Sequence, residues 1–397
     1  MSRYRLSPTP AQEAAMARHC GHARFVWNLA VEQHSHWQPG RKNAPGFVEQ
    51  CRQLTEARAE NEWLRDGSVV VQQQALKDFA QAMANFFGGT HRRPTWRRRG
   101  ENEGFRIVAV KPGDVRRLSR RVGAVLVPKV GWVRFRLSRP VPKSVKSYRV
   151  TLDRAGRWHV AFTYIPPPVA GPESGELVGV DRGVAVTVAL STGELLFIPR
   201  QRETEEARLL RLRRKLARAE RGSNRRAKVK RAIARIMARQ RDRRKDWVEK
   251  TSTQLARRFD VIGVEDLRIA AMTRSAKGTT EDPGRNVRQK AGLNRAVLAA
   301  AWGQFVTRLE HKAPSRVMRV DPRYTSQTCH ACGHHASDNR ESQAVFRCRV
   351  CGHQADADVN AARNIRDIAA GHAVNARGGD RVAGPTNREP QLALPSE

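Results

Sequence analysis

Four cysteines towards the C-terminal end carry the plainest chemistry in the chain. Cys329 and Cys332, then Cys348 and Cys351, form two CxxC pairs separated by fifteen residues. A glycine follows each pair, Gly333 and Gly352, so each reads as a tight knuckle turning two thiolates towards one centre. Four soft sulfur ligands suit a closed tetrahedral Zn²⁺ site, structural in role because no coordination position is left for a substrate. The alternative is a pair of disulfides. That framework belongs to small secreted chains, and six cysteines in 397 residues without a secretory signal do not fit it. His334, His335 and His353 crowd the same loops and could replace one sulfur, but four cysteines already fill four positions. Cys20 and Cys51 fall in no motif and are expected to fill helix-packing positions.

Three carboxylates form a second set. Asp181 and Glu265 each end an apolar run with strand character, and Asp358 sits where a helix is expected to begin. A lone Asp at such a place is usually a turn or cap residue. Three of them in one mixed α/β region of a basic chain point to more. Carboxylate oxygens are the ligands hard Mg²⁺ accepts, and Mg²⁺ keeps positions open for water and phosphate. Two such ions about 4 Å apart activate a water and stabilise the leaving oxygen of a phosphodiester. Asp356 and Asp266 lie beside these positions and read as capping or supporting residues.

The surrounding chain must supply a basic groove and the elements that converge the carboxylates. Lys and Arg number 74 against 38 acidic residues, a net charge of +36, which calls for a polyanion such as nucleic acid. The charge is spread along the chain, as a protein wrapped on a long phosphate backbone requires. No lipidation motif, membrane-length apolar run or amphipathic anchor points to a membrane. Helical spacing is expected over 10–37, 46–65 and 68–87, followed by a basic loop, 91–100, in which Trp96 stands among arginines and could stack on a base or be buried. From 105 to 164 the period changes to two, with a hairpin turn at 153–157, which predicts a small β-barrel or sandwich. Residues 207–258 predict a helical pair broken at Gly222, with eighteen basic and two acidic residues between Arg208 and Lys245.

The segments 179–194 (GVDRGVAVTVALSTGE), 261–267 (VIGVEDL) and 356–365 (DADVNAARNI), with the four-cysteine ribbon between the last two, resemble the three RuvC motifs of the TnpB (OrfB) proteins. These are encoded by insertion sequences and related to type V CRISPR effectors. Residues 4–13, 23–28, 127–132 and 321–329 also look like family positions, so the resemblance runs from about residue 3 to residue 370. It implies an RNase H-like (RuvC) nuclease domain over 171–370 with an inserted zinc ribbon at 325–355. It also implies a β-rich, wedge-like domain from 1–14 and 105–170, a helical recognition lobe over 15–104, and a flexible tail over 371–397. Asp181, Glu265 and Asp358 would be the catalytic Mg²⁺ ligands, and Cys329, Cys332, Cys348 and Cys351 the Zn²⁺ ligands. The implied activity is RNA-guided DNA hydrolysis in a prokaryotic cytoplasm, on the nucleoid. The partners would be a guide RNA from the transposon end and a double-stranded DNA target, with no membrane and no small-molecule substrate.

Two other functions stay open at this level. RNase H-like triads also serve strand transfer, so a transposase that joins DNA ends itself is one. A non-catalytic zinc-ribbon regulator is the other, and under it Asp181→Ala should change nothing.

Overall fold

The computed structural model describes residues 2–36, 44–142 and 145–378, with side chains described as far as His372. Trp37 and residues 379–397, the larger part of the expected tail, lie outside the described residues. The chain divides into two compact units, Met1–Pro166 with Glu203–Ala238, and Pro167–Arg202 with Arg239–Glu397.

In the first unit a strand, β1 (Ser2–Arg5), leads into a long helix, α1 (Pro10–Ser35). Thr9 caps the helix: its hydroxyl accepts from the Gln12 backbone while its own backbone N–H donates to the Gln12 side-chain oxygen, with Pro10 preset in the first turn. Met16, Cys20, Ala23, Trp27 and Ala30 recur at three- and four-residue intervals and are all buried. Burial pushes the Cys20 thiol up to about 12, as a packing cysteine requires. Helices α2 (Phe47–Glu60), α3 (Glu62–Arg65) and α4 (Val69–Phe87) follow.

Strands β2 (Gly104–Val108), β3 (Val115–Arg117), β4 (Val122–Val127), β5 (Gly131–Arg136), β6 (Ser147–Leu152) and β7 (Trp158–Phe162) make two antiparallel sheets, ordered β1-β7-β6-β2 and β3-β4-β5. The hairpin between β6 and β7 closes on Asp153, whose Oδ1 accepts from the backbones of Ala155 and Arg157, both at 2.9 Å. Helices and sheets share one apolar core that includes Met16, Phe79, Val125 and Phe162.

The second unit opens with β8 (Leu177–Asp181), β9 (Val188–Leu190) and β10 (Leu195–Leu196). The chain then returns to the first unit for α5 (Glu203–Ala217) and the start of α6 (Asn224–Arg258), a basic pair broken at Gly222 as its turn (φ +87°) demands; from Arg239 onwards α6 belongs to the second unit, so the pair expected inside 171–370 is divided between the two. Arg226 Nη1 donates to the carbonyls of Leu216 and Ala219 at 2.8 and 2.7 Å, placing a cation where the orphan carbonyls of α5 end. The remaining elements are β11 (Val261–Glu265), α7 (Ile269–Met272), α8 (Val287–Ala299), α9 (Trp302–Lys312), β12 (Val317–Val320), β13 (Val345–Arg347), β14 (Gln354–Asp356) and α10 (Ala357–Gly378). Helices α8 and α9 add to the elements expected from periodicity.

The sheet of this unit is ordered β10-β9-β8-β11-β12, with β8, β11 and β12 parallel and β9 antiparallel to β8. Helix α10 packs on it. Closeness is set by two glycines: a Cβ on Gly179 would stand 1.9 Å from the Ala362 carbonyl oxygen, and one on Gly263 would stand 2.8 Å from the Ala369 Cβ. Gly179→Ala should therefore force α10 off the sheet, because the obstruction is backbone. The expected cost is about 3 kcal/mol, read as a lowered denaturant midpoint for the second unit.

Candidate carboxylate site and cysteine centre

Alternation along a strand puts residues two apart on one face. Gly179 and Gly263 meet α10, so Asp181 and Glu265 project from the same face at the ends of adjacent parallel strands, just past the Val180–Val264 pairing. Asp358 stands in the first turn of α10, where the Asp356 carboxylate caps the helix by accepting from the Asp358 and Val359 backbones, both at 3.0 Å. The turn after β8 closes the third side: a Cβ on Gly183 would lie 3.7 Å from Asp358 Oδ2. The three expected carboxylates thus converge on one corner of the second unit.

Their supports are specific. The Thr325 hydroxyl donates to Glu265 Oε1 at 2.8 Å, and buried Arg182 donates to the Glu265 carbonyl. Arg340 Nη2 pairs with Asp358 Oδ1 at 3.1 Å and also donates to the Gln343 carbonyl at 3.0 Å. Arg319 pairs with Asp266 at 2.7 Å, so Asp266 is a structural partner on the outer side.

Burial dominates the electrostatics of the corner, and Arg182 and Arg340 offset it only in part. Burial, then the charges of Glu265 and Asp358, push the Asp181 carboxyl up to about 7. Burial also raises Glu265, against the Thr325 hydrogen bond and Arg182, and it raises Asp358 against Arg340. The unfolded chain releases the Asp181 proton near pH 4. The folded state holds it to about pH 7, so an ionised Asp181 progressively destabilises the fold as pH rises through that window. Asp181→Asn should gain stability relative to the parent between pH 5 and pH 8. The check is the difference between their melting temperatures across that range in the absence of divalent cations. A difference independent of pH would contradict the assigned environment.

The cysteines meet more tightly. Cys329 and Cys351 Sγ lie 3.7 Å apart, Cys332 and Cys348 Sγ 3.6 Å apart, and all four sulfurs are within 4.8 Å of one another. Zn–S bonds of about 2.3 Å give a tetrahedron with edges of about 3.8 Å, so the spacing fits that ion. A disulfide needs about 2.05 Å, and all six cysteines are free. Each knuckle has the same backbone: Gly333 and Gly352 take positive φ, and their N–H groups donate to Cys329 and Cys348. His334 and His353 contribute carbonyls to the two knuckles, and the His335 ring lies 4.4 Å from that of Tyr324. The four sulfurs complete the set without a histidine. Among the described residues this is the group of potential ligands gathered so closely; the three carboxylates are spaced more widely.

Cysteine centre and carboxylates are joined through α10. Asn360 accepts from the His330 backbone at 3.1 Å and donates to the Thr328 carbonyl at 2.8 Å. Asn364 donates to the carbonyls of Thr325 and Thr328, both at 2.8 Å. The i, i+4 spacing puts the two asparagines on one face of α10, which sequence reasoning did not single out.

The arrangement of a four-sulfur centre beside a carboxylate-bearing sheet has a counterpart among solved structures. The solved structure of a Cas12f1–sgRNA–target DNA complex is similar at a TM-score of 0.52 over 89% of this chain and 83% of that one, at 15% identity. Three family models match: one described as "Cas12f1-like, TNB domain" over residues 302–365, one as "Probable transposase" over 159–276, and one as "Helix-turn-helix domain" over 2–41. The protein named "Putative RNA-guided DNA endonuclease InsQ" of Escherichia coli (strain K12) is 38% identical over 398 residues, 98% of this chain and 96% of that one. A "Putative RNA-guided DNA endonuclease" of Streptomyces pristinaespiralis is 32% identical over 95% of this chain and 90% of that one. The chain belongs to the TnpB (OrfB) family of insertion-sequence-encoded RNA-guided endonucleases, related to the type V CRISPR effectors. No helix among the described residues is long and apolar enough to cross a membrane.

Proposed function

We propose that the protein is a transposon-associated, RNA-guided DNA endonuclease whose second unit is a RuvC-like nuclease domain. In this reading Asp181, Glu265 and Asp358 hold Mg²⁺, and Cys329, Cys332, Cys348 and Cys351 hold a structural Zn²⁺. The observation that carries it is the convergence of three buried or half-buried carboxylates, each with its pKa raised, from β8, β11 and α10. Hard oxygen donors whose charges repel one another favour a divalent cation over protons at neutral pH. Held there, Mg²⁺ would supply activation of a water and neutralisation of the leaving oxygen of a phosphodiester.

The chain's own groups do the positioning. Thr325 fixes the Glu265 carboxylate, Arg182 holds the end of its strand, and Arg340 offsets the charge of Asp358. The net charge of +36 supports an RNA scaffold and a heteroduplex together as partners, with base pairing reading the sequence. The helical and β-rich segments of the first unit would serve as recognition and wedge elements.

Expression with the native flanking DNA, followed by sequencing of co-purified RNA, tests the guided reading. One discrete RNA ending at the transposon edge is expected; random cellular RNA or none would overturn it. The family model described as "Probable transposase" favours strand transfer as a second reading. It requires joined transposon ends as products, where hydrolysis leaves free 3′-hydroxyl and 5′-phosphate ends.

A further inference from the structure

We infer that Tyr324 positions the DNA strand in the carboxylate site by stacking its exposed ring on an unpaired base close to the bond being cut. The inference rests on the nuclease reading above. Tyr324 has φ +65° and is the one aromatic among the described non-glycine residues in the left-handed region. A bulky side chain there is strained and persists only where its surroundings over-determine it. Here they do: the Tyr324 carbonyl accepts from the backbones of Gln327 and Thr328, both at 3.0 Å, and from the Thr328 hydroxyl at 2.9 Å. The next residue, Thr325, is buried and bonded to Glu265.

The same backbone that aims Thr325 at a carboxylate therefore leaves Tyr324 in solvent, 61% exposed, while Tyr4 and Tyr148 are buried in the other unit. The ring is braced at 75° to His335, an edge contact that keeps it from turning freely. The two residues before it in the chain, Pro322 and Arg323, line a groove of about 580 Å³ with Arg268, Arg319 and Asp266.

The carboxylates, with the cations they would hold, act on the phosphate and leave the nucleotide's orientation unfixed, and Arg319 is already shared between Asp266 and Glu310. Stacking holds a nucleotide by its base without adding charge, and it tolerates any sequence. That suits a site whose sequence choice is made elsewhere by a guide.

The test uses the full chain with its guide RNA, comparing the parent, Tyr324→Phe and Tyr324→Gly. Each cuts a target whose single strand carries an abasic site, stepped through the three nucleotides on either side of the cut. Tyr324→Phe should cut like the parent. Tyr324→Gly, which relieves the backbone strain, should keep or raise the melting temperature yet cut roughly 5- to 100-fold more slowly. One abasic position should slow the parent by a similar factor and leave Tyr324→Gly unaffected. Cutting by Tyr324→Gly at the parental rate, or an abasic penalty equal in both proteins at every position, would overturn this inference alone. A parent that cuts nothing overturns the nuclease reading, and this inference with it.

Discussion

Asp181→Asn should slow DNA cleavage by at least about a thousandfold while leaving RNA and target binding intact. The substitution keeps the shape of the residue and the partial burial at the end of β8, and it removes one of the three negative charges. Asp181 is the member most burdened by the other two, with burial, Glu265 and Asp358 together holding its carboxyl near pH 7. Neutralising it should relieve the fold and cripple the chemistry together, opposite signs that a merely structural residue would not give. Single-turnover cleavage rates, guide-RNA affinity and melting temperature on the same preparations provide the check. A cleavage rate within tenfold of the parent would remove Asp181 from the site.

Loss of the zinc-type centre should be nearly as severe. The ribbon's own buried apolar cluster is Phe346 and Ala357 with the cysteines Cys329 and Cys348, far too little to fold a segment unaided. Metal binding is worth about 10–16 kcal/mol in small zinc modules, so here it amounts to the folding energy of the ribbon. Cys348→Ser should release the metal, free the segment that carries Thr325 and Arg340, and lower cleavage by a hundredfold or more, on the order of losing several positioning contacts at once. The first unit keeps its separate core, so RNA affinity should change little. Metal analysis should find one zinc per parent chain and none per variant. Full cleavage by a zinc-free variant would contradict this coupling.

Much of this arrangement was legible in the sequence because it rests on short-range rules. The CxxC spacing and its glycines dictated the knuckles, and apolar runs ending in carboxylates marked the ends of β8 and β11. The basic pair around Gly222 and the Asp153 turn followed from local propensity in the same way. What stayed hidden depends on tertiary approach. Nothing local shows that Gly179 exists to admit the Ala362 carbonyl, that Arg340 reaches Asp358, or that Thr325 reaches across sixty residues to Glu265. Nor does anything local show that the Asn360 and Asn364 side chains clamp the ribbon.

Trp96 illustrates an ambiguity that only the fold resolves. It is 54% exposed, because its neighbours are anchored: the Thr95 carbonyl accepts from Trp27 Nε1, and Arg97 stacks on the Trp27 ring at 3.6 Å. The buried member of that pair is Trp27. The helical and β-rich segments, separate in composition, share one core, which a change of period along the chain does not reveal.

The most direct measurement is cleavage of a plasmid by the purified protein, loaded with its own RNA, in the presence and absence of Mg²⁺. The plasmid carries either a sequence matching the guide or the same sequence scrambled. The account predicts Mg²⁺-dependent linearisation of the matched plasmid alone, abolished by Asp181→Asn. Equal cutting of both plasmids, or none of either, would contradict it.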